Sequence, residues 1–402
     1  MKEKNKLPEG WKEVELSDLS EIITGGTPST TKKEYWENGN IPWLPSGDLK
    51  NKSINKAHKF ITKLGLKNSS AKIMPKNTVV IALTGATTGQ TGILEIDASA
   101  NQSVTGILPS DKYNSKYLFY FLQTIRGKII SQSYGGAQPH INQGYVKRIK
   151  IPLPFSNGTP DLKEQERIVS ILEKVEELKQ KGKKAEDLLD EYLKSVFYEM
   201  FYNKGFEEVK LGDICEINPK KSELEKIDRR SKVSFLEMSS VGEKGEIFKE
   251  DIKKLEEVIK GFTYFKKNDV LFAKITPCME NGKGTIARIS NEIGFGSTEF
   301  HVLRPNKKIT SEFIYFLLFL DSLRKMAKEN MTGSAGQKRV PKSFLQTLKI
   351  PLPSISLQQK FSKIVEQVEK MKENVKKTNQ NSEELFNSLM SKAFRGELIQ
   401  DV

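Results

Sequence analysis

Two short stretches of small and polar residues carry side chains that could recognise a nucleic acid: GGAQPHIN (135–142) and GSAGQKRVP (333–341). Their polar tips stand in corresponding places and are Gln138, His140 and Asn142 in the first stretch and Gln337, Lys338 and Arg339 in the second. In the major groove of DNA, Gln and Asn can bond adenine, and Arg and Lys can bond guanine. The pattern therefore favours two loops that contact different bases. The alternative is that glycine and proline turn the chain here and leave the polar tips in water.

A third segment, TPSTTKKEYW (27–36), offers groups suited to DNA phosphates rather than to bases. Thr30, Lys32 and Lys33 supply hydroxyl and ammonium groups, which commonly contact phosphate oxygens. The alternative for this lysine pair is a solvated surface without a ligand.

No set of residues matches a catalytic or metal-binding pattern. The histidines stand at no metal-ligand spacing; they are His58, His140 and His301. MENGKGT (279–285) is close to a phosphate-binding loop, but Gly284 replaces the Ser or Thr that must bind magnesium. We therefore predict no catalytic residues and no metal site in this chain, which argues against an enzyme.

The segments that must position these residues occur twice, because the chain is a tandem repeat. GWKEVELSDLSEI (10–22) aligns with GFEEVKLGDICEI (205–217). KIPLP stands at 150–154 and again at 349–353, each time after a polar loop and before a long charged segment. The matches keep the same order and an offset of about 190 to 200 residues, so each half of the chain is one module.

Each module has the pattern of a mixed α/β domain. Short β-rich runs alternate with Gly, Asn and Pro punctuation. The run 115–132 is predicted to be a helix, because Tyr117, Phe121, Ile125 and Ile129 recur at helical spacing. Its aromatic residues are assigned to the core rather than to a base-stacking surface.

The charged segment after each module has the heptad pattern of a coiled-coil seam. In the first segment, the a positions are Ile168, Val175, Gly182, Leu189 and Val196, and the d positions are Ile171, Leu178, Ala185 and Tyr192. In the second, the a positions are Phe361, Val368, Val375 and Leu389, and the d positions are Ile364, Met371, Thr378 and Leu385. The alternative is two amphipathic helices lying on separate domains.

If the two seams pair, the short connections at 202–206 and 354–357 favour an antiparallel arrangement. The predicted fold class is therefore α+β, with two homologous mixed α/β domains separated by two long antiparallel coiled-coil helices and related by a pseudo-twofold axis. The predicted boundaries are 1–157 and 204–355 for the domains, and 158–203 and 356–402 for the helices.

Composition agrees with a polyanionic partner. The net charge is +14 and the sequence pI is about 9.3, which favours nucleic acid or an anionic membrane surface over neutral partners; a generally lysine-rich proteome is the alternative. Cys215 and Cys278 are too few for a disulfide framework or a cysteine zinc site. The first residues lack the apolar core of a signal peptide, and FIYFLLFL (313–320) is too short to cross a bilayer. We expect a cytoplasmic protein.

Longer stretches connect the sequence to a family. GGTPSTTKKEYWENGNIPWLPSGDL (25–49) resembles the opening of a target recognition domain from the specificity subunits of type I restriction-modification systems. INPKKSELEKIDRRSKVSFLEMSSV (217–241) is similar to a different branch of that domain. The join between KIPLP and EQERIVSIL (164–172) and the terminal SKAFRGEL (391–398) are also similar to the family. The resemblance covers essentially the whole chain.

The resemblance implies a non-catalytic subunit that reads a bipartite site in double-stranded DNA, with one half-site per target recognition domain and the helices setting the gap. It also implies docking of two methyltransferase subunits, which use S-adenosylmethionine, and of restriction subunits, which use ATP and magnesium. No cofactor is then expected in this chain itself, and no membrane contact. The alternative is a free-standing bipartite DNA-binding or scaffold protein without catalytic partners.

Overall fold

The computed structural model describes residues 7–49, 52–135, 139–334 and 336–398. The chain forms two compact units: unit 1 combines residues 1–183 with residues 377–402, and unit 2 comprises residues 184–376. Each unit therefore holds one globular module together with one half of each long helix. These divisions differ from the predicted domain boundaries, which followed the alternation of globular and helical segments along the chain.

Module 1, the globular part of unit 1, consists of short strands and helices. In chain order they are β1 (Trp11–Glu15), α1 (Leu16–Leu19), β2 (Ile22–Thr24), β3 (Ile41–Leu44), β4 (Ser53–Ile54), β5 (Lys59–Ile61), α2 (Lys63–Lys67), β6 (Val79–Ala82), β7 (Thr91–Leu94), β8 (Ser99–Ala100), β9 (Val104–Ile107), α3 (Ser115–Thr124), α4 (Arg126–Ser131), α5 (Gln143–Lys147), β10 (Lys150–Ser156) and β11 (Thr159–Pro160). The long helix α6 (Leu162–Phe201) follows. The sheets have the strand orders β2-β9-β6-β7-β4, β5-β3-β8 and β1-β10-β11.

Module 2, the globular part of unit 2, repeats this arrangement over a similar length of chain. Its elements are β12 (Glu208–Lys210), α7 (Leu211–Ile214), β13 (Cys215–Ile217), β14 (Lys232–Leu236), β15 (Asp251–Lys254), α8 (Leu255–Val258), β16 (Thr263–Lys266), β17 (Val270–Ala273), β18 (Gly284–Ile286), β19 (Ile293–Gly296), β20 (Phe300–Pro305), α9 (Ser311–Leu318), α10 (Asp321–Glu329), α11 (Lys342–Thr347) and β21 (Lys349–Pro351). The long helix α12 (Ile355–Ala393) follows. The sheets have the orders β13-β20-β17-β18, β15-β14-β19-β16 and β12-β21. The mixed α/β prediction is confirmed in both modules.

Each KIPLP copy lies in a strand that pairs with the first strand of its module and so closes the module. In module 1, β10 runs antiparallel to β1, with Trp11 opposite Pro154 and Glu15 opposite Lys150. In module 2, β21 pairs with β12 in the same way, and Glu208 lies opposite Pro351. The prolines thus stand in extended backbone, which suits their fixed φ and prevents the long helix from starting earlier.

A buried glutamine joins each long helix to its module through the same hydrogen bond. The backbone N–H of Asn114, the N-cap of α3, donates to Gln165 Oε1 at 2.8 Å. In module 2, the N–H of Thr310, the N-cap of α9, donates to Gln358 Oε1 at 3.0 Å. Both glutamine side chains are fully buried. Because a buried backbone donor needs a partner, the repeated bond fixes where each long helix leaves its module.

The helix predicted over 115–132 is two helices, α3 and α4, separated at Ile125. Tyr117, Phe121 and Ile129 are buried in the core of unit 1, so the assignment of the aromatic residues to the core is confirmed. The spacing alone could not show the break, because α4 continues nearly the same apolar periodicity after one non-helical residue.

The long helices pair antiparallel in each unit. In unit 1, Lys179 on α6 forms an ion pair of 2.5 Å with Glu383 on α12. In unit 2, Asp190 on α6 pairs with Lys372 on α12. Lys372 stands 193 residues after Lys179, and Glu383 stands 193 residues after Asp190, so the repeat places one ion pair of the same kind in each unit. The prediction of paired antiparallel helices is confirmed.

Most of the predicted d positions do not lie in the helix seam, and the heptad assignment is wrong for them: Leu178, Tyr192, Met371, Thr378 and Leu385 are exposed, whereas Ile171, Ala185 and Ile364 are half-buried. Leu178 and Leu385 in unit 1 are 54% and 48% exposed, and Tyr192 and Met371 in unit 2 are 51% and 54% exposed. The buried faces instead combine a positions with the neighbouring e positions, which include Leu172, Leu193 and Val365. Each helix packs on its module as well as on the other helix, so the buried stripe is rotated away from the d positions.

Candidate nucleic-acid interface

Each module brings two loops together beside its central sheet. We define hairpin loops 1 and 2 as residues 83–90 and 274–283, and polar loops 1 and 2 as residues 133–142 and 331–341. In module 1, the N–H of Gly85 donates to the carbonyl of Pro139 at 3.0 Å. In module 2, the N–H of Thr276 donates to the carbonyl of Lys338 at 3.0 Å. The polar loops are therefore held in the same way against the strands that flank the hairpin loops.

Backbone pairing shows which residues of the polar loops correspond. His140 exchanges both backbone hydrogen bonds with Tyr134, at 2.8 and 2.9 Å. Arg339 does the same with Thr332, also at 2.8 and 2.9 Å. His140 therefore corresponds to Arg339, and Pro139 to Lys338. The sequence-based matches of His140 with Lys338 and of Asn142 with Arg339 are therefore wrong. The first is displaced by one position and the second by two.

Asn142 lies at the end of polar loop 1 and is the N-cap residue of α5. Its Oδ1 accepts a hydrogen bond of 2.8 Å from the N–H of Tyr145 and caps the N-terminus of α5. Pro341 takes the N-cap position of α11 in module 2. An N-cap oxygen satisfies a backbone donor that helix formation leaves free. Only the exposed amide nitrogen of Asn142 then remains for another partner.

Arg339 is held in a fixed orientation. Its Nε and Nη2 donate to the carboxylate of Glu299 at 2.9 and 2.8 Å, and its Nη1 donates to the carbonyl of Gln337 at 3.2 Å. The hydrogen bonds from Arg339 lower the pKa of Glu299 below the usual glutamate range. A guanidinium has five N–H donors, so two stay available on a side chain that is 40% exposed. Glu299 thus orients an arginine that can still donate outward.

Behind polar loop 2 lies His301, a residue for which the sequence suggested no role. Its Nε2 donates to the carbonyl of Val340 at 2.8 Å, and its Nδ1 accepts from Asn218 Nδ2 at 3.0 Å. Asn218 Oδ1 is already bonded to the N–H of Val302 at 2.9 Å, which fixes the amide orientation. Burial lowers the pKa of His301, so the neutral form anchors the loop. The corresponding residue of module 1 is Thr105, by its place in the sheet.

The remaining predicted contacts have different surroundings. Gln337 and Lys338 are exposed, and His140 is exposed with its ring 6.1 Å from that of Tyr134. Gln138 lies outside the described residues. Thus the structure brings His140 and Asn142 into one loop and Gln337, Lys338 and Arg339 into the other.

Thr30, Lys32 and Lys33 belong to a separate exposed turn before β3. Lys32 Nζ donates to the Tyr35 hydroxyl at 3.1 Å, and this bond raises the pKa of Lys32. Lys33 Nζ lies 4.0 Å from Glu37 and is largely exposed. Both ammonium groups are therefore accessible to an anion, although an exposed ion pair of this length contributes little to stability.

An arginine that recurs in both modules was missed. Arg126 on α4 and Arg324 on α10 lie against the hairpin loops. The sequence signal was present, because each arginine stands eight residues before the residue that starts the polar-loop backbone pair, Tyr134 or Thr332. This correspondence is hard to recognise in the sequence, because the residues around the two arginines differ.

Within the described ranges, no cluster of three or more His, Cys, Asp and Glu residues could hold a metal ion. Over the same residues, no helix combines the length and apolar character needed to span a membrane.

Two copies of one α+β module, each presenting a polar loop and each followed by a long helix, define a two-module recognition protein with paired helices. A family model described as type I restriction modification DNA specificity domain matches residues 8–186 and again residues 203–384. The chain therefore belongs to this family of type I restriction-modification DNA specificity proteins. The two matches agree with the tandem repeat and with the resemblance noted in the sequence.

The chain is also similar to curated proteins named as specificity subunits of type I restriction enzymes. The EcoEI specificity subunit of Escherichia coli is 39% identical over 153 residues, which are 37% of this chain and 25% of the relative. The EcoAI specificity subunit of Escherichia coli is 40% identical over 160 residues, covering 39% of this chain and 27% of the relative. The chain thus matches about a quarter of the length of these relatives. The MjaVIII specificity subunit of Methanocaldococcus jannaschii is 23% identical over 416 residues, or 98% of this chain and 94% of the relative.

Solved structures share the fold over the whole length. A chain from a structure on complex assembly and conformational transition of the type I R-M system has a TM-score of 0.65 and 19% identity, covering 98% of this chain and 100% of that chain. A type I restriction-modification S subunit from M. genitalium has a TM-score of 0.50 and 18% identity, covering 98% of each chain. At this identity, the likeness concerns the fold.

Proposed function

We propose that this protein is the DNA-recognition subunit of a type I restriction-modification complex. Module 1 reads one half of a bipartite target in double-stranded DNA, module 2 reads the other half, and the long helices set the unread gap. The observation that carries the proposal is the twofold family match, in which equivalent loops present different side chains. His140 and Arg339 occupy the same backbone position but offer different hydrogen bonds to a base.

The chain itself performs no chemistry in this proposal. Methyl transfer with S-adenosylmethionine belongs to two methyltransferase subunits, and ATP- and magnesium-dependent cleavage belongs to restriction subunits. The exposed d positions support docking of partner helices. Leu178 and Leu385 lie on neighbouring helices in unit 1, and Tyr192 and Met371 do so in unit 2. We call each of these two pairs the apolar stripe of its unit.

The register of the ion pairs brings the two members of each apolar stripe level with each other. Lys179 pairs with Glu383, so Leu178 on α6 lies about level with Leu385 on α12. Asp190 pairs with Lys372, so Tyr192 lies about level with Met371. Exposed apolar side chains on neighbouring helices form a surface that an amphipathic partner helix can cover. The methyltransferase subunits are therefore proposed to dock through helices on these stripes.

Methylation mapping of the reconstituted complex tests the function. The full chain is produced with the methyltransferase subunit of the same restriction-modification system and supplied with S-adenosylmethionine and DNA, and methylated positions are sequenced. The expected result is one bipartite motif with a fixed gap, and no methyl transfer by the purified chain alone. Methylation by the lone chain would refute the non-catalytic assignment. Binding to a bipartite site without any association with the methyltransferase would favour a free-standing DNA-binding protein.

A further inference from the structure

The recurring arginine occupies one structural position in both modules. Arg126 stands six residues before Gln132, the C-cap of α4, and Arg324 stands six residues before Asn330, the C-cap of α10. In both modules the chain then passes directly into the polar loop. Counting back from the helix end therefore identifies the two arginines as the same residue of the repeat.

Each arginine packs against a glycine that closes the hairpin loop. Gly89 and Gly282 have φ values of +73° and +79°, in the region that favours glycine. A Cβ atom on Gly89 would lie 3.2 Å from Arg126 Cγ, and one on Gly282 would lie 2.7 Å from Arg324 Nη1. In both modules, the absence of a side chain at this glycine leaves space for the arginine beside the hairpin loop, which in turn contacts the polar loop.

The two guanidinium groups differ in their partners. Arg324 donates to the carbonyl of Glu280 at 3.3 Å and pairs with the exposed carboxylate of Asp321. Arg126 is half-buried, and no ion pair to it occurs among the described residues. The Nε of Arg126 and the Nε of Arg324 are both buried without a hydrogen-bond partner. A partly desolvated charge is costly unless an anion or hydrogen-bond acceptor meets it. The guanidinium of Arg126 therefore suits an anion from outside the chain.

We propose that Arg126 binds a phosphate of the DNA backbone beside the half-site of module 1, and that Arg324 binds the equivalent phosphate beside the half-site of module 2. The inference rests on the proposed DNA-recognition function. A guanidinium makes short, charge-assisted hydrogen bonds to phosphate oxygens. Such contacts fix the register of a protein on the duplex while base contacts supply the sequence preference. Arg126 thereby positions polar loop 1 against the base edges.

Salt-dependent binding tests Arg126 in the reconstituted methyltransferase complex. Affinity for DNA that carries the mapped target is measured at several salt concentrations for wild type, Arg126→Ala and Lys128→Ala. Lys128 lies about 200° away around the same helix, so its replacement makes the same charge change on the opposite face. For Arg126→Ala we expect roughly tenfold weaker binding, a slope of log affinity against log salt that is smaller by about 0.9, and an unchanged methylation motif.

A slope for Arg126→Ala equal to that of wild type or of Lys128→Ala would overturn the proposal. Arg126→Lys keeps the charge and is expected to keep the wild-type slope, which separates phosphate binding from a purely structural role. If wild type itself showed no target binding in the complex, the proposed function would fail instead. If Arg126→Ala fails to fold, which would be seen as a lowered melting temperature, a second variant in module 2 still tests the proposal.

Asp321→Asn provides that second variant. Asp321 is exposed, so the substitution leaves the fold intact, and it releases Arg324 from its ion pair. We expect tighter DNA binding and a steeper salt slope, because Arg324 no longer has to leave a carboxylate to reach the phosphate. Glu329→Gln on the same helix makes the same charge change and is the control. Equal effects of the two substitutions would contradict the role of Arg324.

Discussion

At the scale of single residues, polar loop 2 makes the sharper prediction about base recognition. Replacing Gln337, Lys338 and Arg339 together with alanine is expected to relax the half-site read by module 2, at roughly 1–3 kcal/mol for each lost base contact. Methylation-site sequencing of the variant complex measures the effect. The half-site of module 1 serves as the internal control and is expected to keep its preference. An unchanged motif in both halves would remove these residues from the set of base contacts.

His301 makes the second residue-scale prediction, which concerns pH. Burial lowers its pKa, so the folded state takes up fewer protons than the unfolded chain when pH falls below the ordinary histidine value near 6.5. Stability is therefore present above that value and is lost on acidification, by about 1.4 kcal/mol for each pKa unit of depression. Polar loop 2 is expected to loosen between pH 7.5 and 5.5, because protonated His301 would place an N–H against Asn218 Nδ2.

Hydrogen exchange of peptides from both polar loops measures this change. Exchange in residues 331–341 is expected to accelerate at pH 5.5, after correction for the intrinsic rate, and exchange in residues 139–142 is expected to change little, because Thr105 stands where module 2 has His301. The variant His301→Gln is expected to lose the pH effect. Equal responses of both loops, or an unaltered response in the variant, would refute this role of His301.

The residue types at the loop tips were predictable from sequence, but their partners were not. The spacing of GGAQPHIN shows polar tips, yet only the start of α5 reveals that Asn142 is an N-cap. Arg339 and Glu299 are forty residues apart, and their pairing depends on β20 lying beside the loop. The order of strands in the sheet determines which distant segments meet, and this order cannot be predicted from the local spacing of residue types.

At the scale of elements, the apolar stripe of unit 2 makes a prediction about assembly. Replacing Tyr192 and Met371 with glutamate is expected to weaken binding of a methyltransferase subunit at least tenfold, since central apolar residues of an interface each contribute more than about 1 kcal/mol. Their exposure means that the isolated fold tolerates the change. Affinity between purified subunits is the measurement.

Phe248→Glu is the matched control for this prediction, because Phe248 is an exposed aromatic residue of unit 2 that lies outside the long helices. It is expected to leave the affinity unchanged. Wild-type affinity in the Tyr192 and Met371 variant would show that the methyltransferase uses another surface.

The heptad pattern predicted the existence and the pairing of the helices but not the face that each one buries. The a positions Ile168, Val175, Phe361 and Val368 are buried as expected. Most d positions are exposed because each module covers the adjacent e positions, such as Leu172 and Val365. A heptad pattern in the sequence shows where the apolar residues are. Which of these residues face solvent depends also on how the helix packs against the globular module.

At the scale of the whole molecule, the helices are expected to determine the gap between half-sites. Deleting residues 178–184 from α6 and 378–384 from α12 removes one heptad from each helix, together with both members of the Lys179–Glu383 pair. Each helix shortens by roughly 10 Å, which corresponds to about three base pairs. The variant is expected either to select the same half-sites with a shorter gap or to bind poorly, because three base pairs also rotate one half-site by about a third of a turn.

Selection from a DNA library with randomised gap lengths measures the preferred gap. Deleting the heptad from α6 alone is the control and is expected to destabilise the fold, because Glu383 then loses its partner and the remaining seam is out of register. Tight binding of the doubly shortened protein at the original gap would show that the helices do not determine it.

The strand pair that closes each module has a consequence for how such chains change over generations. Because β1 lies beside β10, and β12 beside β21, the chain enters and leaves each module at one place. A gene segment that runs from the first strand to the last therefore encodes both partners of its own closure. When such a segment is exchanged whole between related genes, only its two ends must fit the flanking parts of the new chain. Inheritance of new target sequences can then proceed by shuffling complete segments rather than by accumulating single substitutions.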